Sequence, residues 1–328
     1  MRQRKPTDSN SSRESFAKVV TVSSGKGGVG KSCLVANLGT LLARMGHKVL
    51  MIDGDMGLAN LDILLGVQPI VTLEQVLDGK ATAQQAVVGV EPNLWLIPAA
   101  AGLLELRDSD QETRTRLLSL LDGLPWEMDF ILLDIGAGIQ ENVLSLHHPS
   151  FESLVMLTPE PTSLTDAYGL IKLLRRHSGI TNAGVIVNQV TDGREGQLAF
   201  QRLRDVSAKF IDVKLDYLGH WNRDEKITQS VMKRKILLDW NSGSVSPAVA
   251  SLELIAKRLR SKLLGKYLAS SDDKNGQTRS LWGRTKWGNQ IRASHPLTVT
   301  TVTGEQSGNT AGFFRTLLTG SNGSFLKR

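Results

Sequence analysis

Three observations predict an α/β fold: a doubly wound, largely parallel sheet with helices on both faces. Short apolar, often β-branched runs recur along the chain, helical patterns separate most of them, and glycine-rich or acid-bearing loops follow several runs. Strands are predicted at 19–23, 48–52, 93–97, 130–134, 154–158, 184–188 and 215–219, with helical patterns at 112–121, 163–176 and 196–208. Such sheets bind their ligands beyond the carboxyl ends of the strands, and the informative loops here fall at those ends.

The first of these loops is the most specific. Val19-Val20-Thr21-Val22 leads into Gly25-Lys26-Gly27-Gly28-Val29-Gly30-Lys31-Ser32, and a helical segment from Cys33 to Ala43 leads out. Gly25, Gly30, Lys31 and Ser32 satisfy the phosphate-loop pattern G-x-x-x-x-G-K-[ST]. Glycines let consecutive backbone N–H groups turn toward one anion, and the following helix adds its positive end. Lys31 is expected to pair with the β- and γ-phosphates of a nucleoside triphosphate and the Ser32 hydroxyl to ligate Mg²⁺. Lys26, one residue after the first glycine, is a second lysine that the general pattern does not require.

Two later strands end in carboxylates. The second is followed by Asp53-Gly54-Asp55-Met56-Gly57, a flexible loop from which Asp55 can reach the γ-phosphate region and orient an attacking water. The fourth, Phe130-Ile131-Leu132-Leu133-Asp134, delivers Asp134 to the Mg²⁺ shell, directly or through water. Ile135-Gly136-Ala137-Gly138 follows, small enough to move when the γ-phosphate leaves.

The 328 residues accommodate one α/β domain of about 250 residues with a tail. We divide them into a polar extension (1–17), a nucleotide-binding domain (18–267), a linker rich in Ser, Gly and Asn (268–309) and an apolar-basic end (310–328). One cysteine, Cys33, excludes intramolecular disulfides and cysteine metal clusters and fits a reducing cytoplasm. The chain shows no secretory signal and no apolar stretch of roughly 18 residues. From 257 onward, thirteen Lys and Arg face three acids, so the net charge of +7 belongs to the tail and leaves the body near −3. Such a tail suits anionic lipid or nucleic acid, with a solvated linker as the bland alternative. A long helix is expected at 245–267, with Leu252, Ile255, Leu259, Leu263 and Leu264 inward and Lys257, Arg258, Arg260 and Lys262 elsewhere around it.

Together the motifs resemble the deviant-Walker ATPases of the MinD/ParA family over roughly 17–266. The resemblance implies that Lys26 is the family's signature lysine, reaching the partner's phosphates in an ATP-bound homodimer, and that Lys31, Asp55 and Asp134 have the roles given above. It further implies that Asn188 reads the base and that Pro159 and Glu160 line the nucleotide. Within the family, 53–66 and 158–170 are most similar to the flagellar-number branch (FlhG/FleN). The branch's activating helix signature is absent from 1–17, and Asn222 replaces a usual proline. The implied protein is a slow, dimer-dependent ATPase, cytoplasmic and attached to the inner face of the cytoplasmic membrane in its ATP state. A flagellar signal-recognition-type GTPase or flagellar regulator is the implied partner.

Burying Phe313, Phe314, Leu317 and Leu318 in a bilayer yields at most about 1.5–3 kcal/mol each. Ordering the segment costs about 1–2 kcal/mol per residue, and Arg315, Lys327 and Arg328 add about 1 kcal/mol each on anionic lipid. One copy is marginal, and two joined copies bind far better. The alternatives are a ParA-type DNA-partitioning ATPase, whose basic residues neutralise DNA phosphates, and a MinD-type division-site regulator. Iron–sulfur carriers need paired cysteines, and a sugar-polymer tyrosine kinase needs a tyrosine-rich tail; the chain has one cysteine and three tyrosines.

Overall fold

The computed structural model describes residues 17–55, 60–71, 75–76, 79–98, 128–139, 144, 147, 152–239 and 246–271. Among them eight strands form one sheet: β1 (Lys18–Ser24), β2 (Val49–Gly54), β3 (Val88–Glu91), β4 (Leu94–Ile97), β5 (Phe130–Ala137), β6 (Glu152–Leu157), β7 (Asn182–Val190) and β8 (Lys214–Asn222). The order is β3-β4-β2-β5-β1-β6-β7-β8, and all pairings are parallel except the β3–β4 hairpin at one edge. The helices are α1 (Lys31–Arg44), α2 (Leu61–Leu65), α3 (Ala83–Ala86), α4 (Pro161–Ser178), α5 (Gly193–Phe210), α6 (Glu225–Met232) and α7 (Pro247–Ser271).

The predicted sheet is therefore present, with each of the seven expected strands in place. Sequence reading missed β3, whose Val-Gly-Val-Glu is only partly buried and carries little apolar signal. The expected helix at 112–121 and the end segment 310–328 lie outside the described residues.

β1 sits at the centre because all seven of its residues are buried, between β5 and β6. Side chains alternate across the strands, so each central strand feeds two cores. Leu154, Met156 and Ile186 join the cluster formed with α1 and α7, where Leu34, Leu38, Leu252 and Leu259 pack. Val155, Leu157, Val185 and Val187 face the opposite cluster, filled by Leu170, Ile171 and Leu174 of α4 and Phe200 and Leu203 of α5. A parallel sheet covered on both faces leaves only its strand ends for ligands.

α7 inserts Leu252, Ile255, Leu259 and Leu263 as its pattern predicts, together with Ala256, whereas Leu264, also expected inward, is only half-buried. It is fixed at its start by buried Trp221, whose indole N–H donates to the Ala248 carbonyl at 3.0 Å. Lys262, expected among outward-facing basic residues, is instead enclosed. Its ammonium pairs with Glu152, lies 2.9 Å from an Asp216 carboxylate oxygen and donates to Asn182 Oδ1 at 3.1 Å. The correction has a simple cause: β6, β7 and β8 start beneath this turn of α7 and present two acids that a buried cation must neutralise. Lys262 holds the Asp216 carboxyl below its ordinary value despite burial, which acts the other way. That contribution is present above the unfolded value near 3.8 and is lost as pH falls through the lower folded one.

Removing only the cation leaves two carboxylates beneath the helix. Lys262→Met should therefore cost about 3–5 kcal/mol in urea unfolding at pH 7. A loss indistinguishable from an exposed lysine-to-methionine change on α7 would contradict the enclosure.

Candidate nucleotide-binding site

The parallel pairing brings the carboxyl ends of β1, β2, β5, β6 and β7 to one edge of the sheet. Gly25 to Gly30 leave β1 there and pass directly into α1, whose N-cap is Gly30 with φ 97°. No side chain caps α1, so its first amides stay available to an anion. The Asn188 side chain of β7 donates to the Val29 carbonyl at 2.7 Å and fixes the crest of the loop. A Cβ on Gly30 would lie 2.6 Å from the Asn188 amide nitrogen, so glycine is required there by space as well as by φ. Gly25 is required by space alone: a Cβ would sit 2.2 Å from the Asp166 backbone oxygen, because α4 packs its backbone against the loop.

Beneath the loop lie buried charges. Lys31 is 7% exposed, and burial pulls its pKa below the ordinary lysine value against the attraction of Asp134 and Asp55. Asp134, 1% exposed at its place in β5, has no hydrogen-bond partner for either carboxylate oxygen among the described residues. Burial pushes its pKa up to about 7, with Asp53 and Asp55 adding to the rise. Lys31 and the neighbouring Ser32 hydroxyl favour the ionised form, the hydroxyl without closing a hydrogen bond of good geometry. An orphaned buried carboxylate beside a hydroxyl fits a divalent cation. Among the described residues no cluster of three His, Cys, Asp or Glu could hold a metal, so a cation here needs phosphate oxygens and water to complete its shell.

Asp55 leaves β2 and stands over β5, its carboxylate 3.4 Å from where a Gly136 Cβ would be. The loop bearing it is organised by a residue that sequence reading assigned no role. Asp53 accepts from the Asp55 N–H at 3.1 Å and from the Asn60 and Leu61 N–H groups at 2.9 and 3.0 Å. Burial raises the Asp53 pKa against those three bonds. The pattern Asp-x-Asp was visible, but nothing in it says which acid faces the backbone.

Lys26 sits at the rim, partly exposed. Its ammonium pairs with Glu160 at 2.8 Å, and the Thr162 hydroxyl lies 3.4 Å away. Glu160, which caps α4, is the principal cause of a raised Lys26 pKa. Pro159 lies in the same turn, half-buried, between β6 and α4. The thiol of Cys33, in the first turn of α1, is pushed up to about 12 by burial. Gly25 to Ser32, Asp55, Asp134, Glu160 and Asn188 thus share one strand-end edge, as expected. Phe313, Phe314, Leu317 and Leu318 lie outside the described residues.

The CobQ/CobB/MinD/ParA nucleotide-binding domain model matches residues 20–237. This chain belongs to that family. It is similar to the antiactivator FleN of Pseudomonas aeruginosa, with 35% identity over 222 residues, 68% of this chain and 79% of that protein. It is also 35% identical over 222 residues to the flagellum site-determining protein YlxH of Helicobacter pylori, covering 67% of this chain and 74% of that one. Among solved structures, the septum site-determining protein MinD of Pyrococcus horikoshii, complexed with Mg-ADP, superposes with a TM-score of 0.57. It has 26% identity and covers 76% of this chain and 98% of that one. The family's fold and nucleotide-binding loop are therefore present in this chain.

Two predictions follow from the family loop as it is built here. Gly25→Ala should lower the nucleotide-free melting temperature by several degrees, through about 1–3 kcal/mol of overpacking against α4. Gly27→Ala, whose Cβ meets nothing within 4 Å, should leave it unchanged; equal effects would refute the close approach. Asp134→Asn should stabilise the nucleotide-free protein at pH 8 by about 1–2 kcal/mol, since it removes a carboxylate whose pKa is raised on folding. That gain should shrink as pH falls below about 7 and vanish below the unfolded value of 3.8, where the carboxyl is protonated folded and unfolded alike, and a pH-independent difference in urea unfolding would contradict it.

Proposed function

We propose that the chain is an ATP-driven switch ATPase that sets the number or placement of a cellular structure, polar flagella foremost. It would act through ATP-controlled pairing of two copies and attachment to the cytoplasmic membrane. The observation that carries the reading is the unfinished charge centre. Lys31 and Asp134 are buried beneath an uncapped helix start, and the second lysine stands at the rim.

The loop amides and Lys31 would hold the β- and γ-phosphates, and Ser32 and Asp134 would hold Mg²⁺. When bound, Mg²⁺ neutralises phosphate charge as it develops. Asp55, set by Asp53, would orient a water whose oxygen attacks the γ-phosphorus. The bond to the β–γ bridging oxygen breaks, leaving ADP and inorganic phosphate. Asn188 gives one amide N–H to the loop, so a base would meet its remaining N–H and its oxygen. Lys26 would leave Glu160 and reach the second copy's phosphates, tying dimer lifetime to the γ-phosphate. The exposed pair it leaves is screened by water and weak against a triphosphate contact.

The relatives named antiactivator FleN and flagellum site-determining protein YlxH support the flagellar readout. Mg-ADP in the Pyrococcus MinD supports the metal and the nucleotide. No helix among the described residues is long and apolar enough to cross a membrane, so attachment would be peripheral, through the 310–328 end.

Light scattering after size exclusion tests the switch. Wild type should change from monomer to dimer with ATP and Mg²⁺, and Lys26→Ala should bind ATP yet stay monomeric. Asp55→Ala should accumulate as dimer with turnover lowered at least about 100-fold. A Lys26→Ala dimer, or an unchanged flagellar number in cells lacking the protein, would overturn the reading.

A further inference from the structure

A second surface involves α6, the turn after it, and α2. α6 buries only Ser230, and at its end Val231 is 39% and Met232 79% exposed. The turn that follows is closed by the Arg234 N–H to the Val231 carbonyl at 3.0 Å and the Lys235 N–H to the Ser230 carbonyl at 2.9 Å. The Arg234 carbonyl abuts Gly66, the C-cap of α2, where a Cβ would come within 3.2 Å. α2 contributes Ile63 at 47% exposure, and the segment leaving Gly66 contributes Ile70 at 92%. In sequence, Ile63 precedes that backbone contact by three residues and Ile70 follows it by four on one segment, and Val231 and Met232 precede it by three and two on the other, whereas exposed apolar residues ordinarily occur singly. Arg234 and Lys235 are exposed beside them, and neither has an ion-pair partner among the described residues.

We propose that this surface, Ile63, Ile70, Val231 and Met232 bordered by Arg234 and Lys235, docks an acidic amphipathic helix of a protein partner. Such a helix lays apolar residues at i, i+3, i+4 and i+7 on an apolar strip and carries carboxylates at its margins. Those margins match Arg234 and Lys235, and the flexible thioether of Met232 adapts to the helix face. A flat anionic membrane suits the surface less well, because Asp62, Glu225 and Asp239 stand on the same segments. The proposal goes beyond the ATPase reading and does not depend on it.

The test uses the full chain without nucleotide and a fluorescein-labelled helical peptide with leucines at those spacings and glutamates flanking them. Fluorescence anisotropy should show saturable binding. Met232→Asp and Lys235→Glu should each weaken it at least about tenfold, and the lysine-flanked counterpart peptide should bind at least as poorly. Leu254→Asp, on an exposed apolar position of α7, should change nothing. Melting temperatures of all variants should match wild type. Absent binding, equal binding of the two peptides, or insensitivity to Met232→Asp would overturn the proposal. So would a Met232→Asp defect confined to phosphatidylglycerol vesicle sedimentation or to self-association, which would assign the surface to lipid or to a second copy.

Discussion

The buried, unpaired charge of Asp134 is the constraint around which the site is arranged. A carboxylate in a parallel strand between two layers of helix is costly unless something meets it. Lys31 offers attraction but no direct bond, and it too is desolvated. The protein thus keeps a site whose own residues leave the charges incompletely satisfied. In the proposed reading, ligands that supply a cation and phosphate oxygens would complete it, so binding energy would be concentrated where the chemistry occurs. The uncapped start of α1 follows the same logic, as amides left without a cap receive an anion.

The surroundings hold this unfavourable arrangement in place. Asn188 fixes the crest of the loop from β7, α4 leans on Gly25 through Asp166, and Asp53 ties both described ends of the Asp55 loop to β2. These contacts come from β7, β2 and α4, so the site depends on the whole sheet edge. Lys26 is the exception. It is attached to Glu160 by an exposed pair that is easily exchanged, which suits its proposed reach to a second copy.

The elements most legible in the sequence were those whose residues announce their own chemistry. The glycines and lysines of 25–32 carried the loop, and four apolar residues before Asp134 carried the central strand. The apolar spacing of Leu252, Ile255 and Leu259 carried α7. What the sequence concealed were partnerships between distant segments. Lys262 looks like any basic residue on a helix until Glu152 and Asp216 are seen beneath it. Glu160 was visible as a lining residue, but its hold on Lys26 depends on β1 and β6 lying side by side. The β3 edge strand escaped because a half-exposed strand with a central glycine has weak periodicity.

The central claim is that Lys26 acts on the nucleotide of a second copy. Mixing Lys26→Ala and Asp55→Ala proteins, each inactive alone, tests it most directly through ATP turnover. In a two-fold pair the Asp55→Ala copy would lend its lysine to the intact Asp55 site of the other, so an equal mixture should recover roughly a quarter of wild-type turnover. No recovery, with both variants folded and binding ATP, would contradict the account.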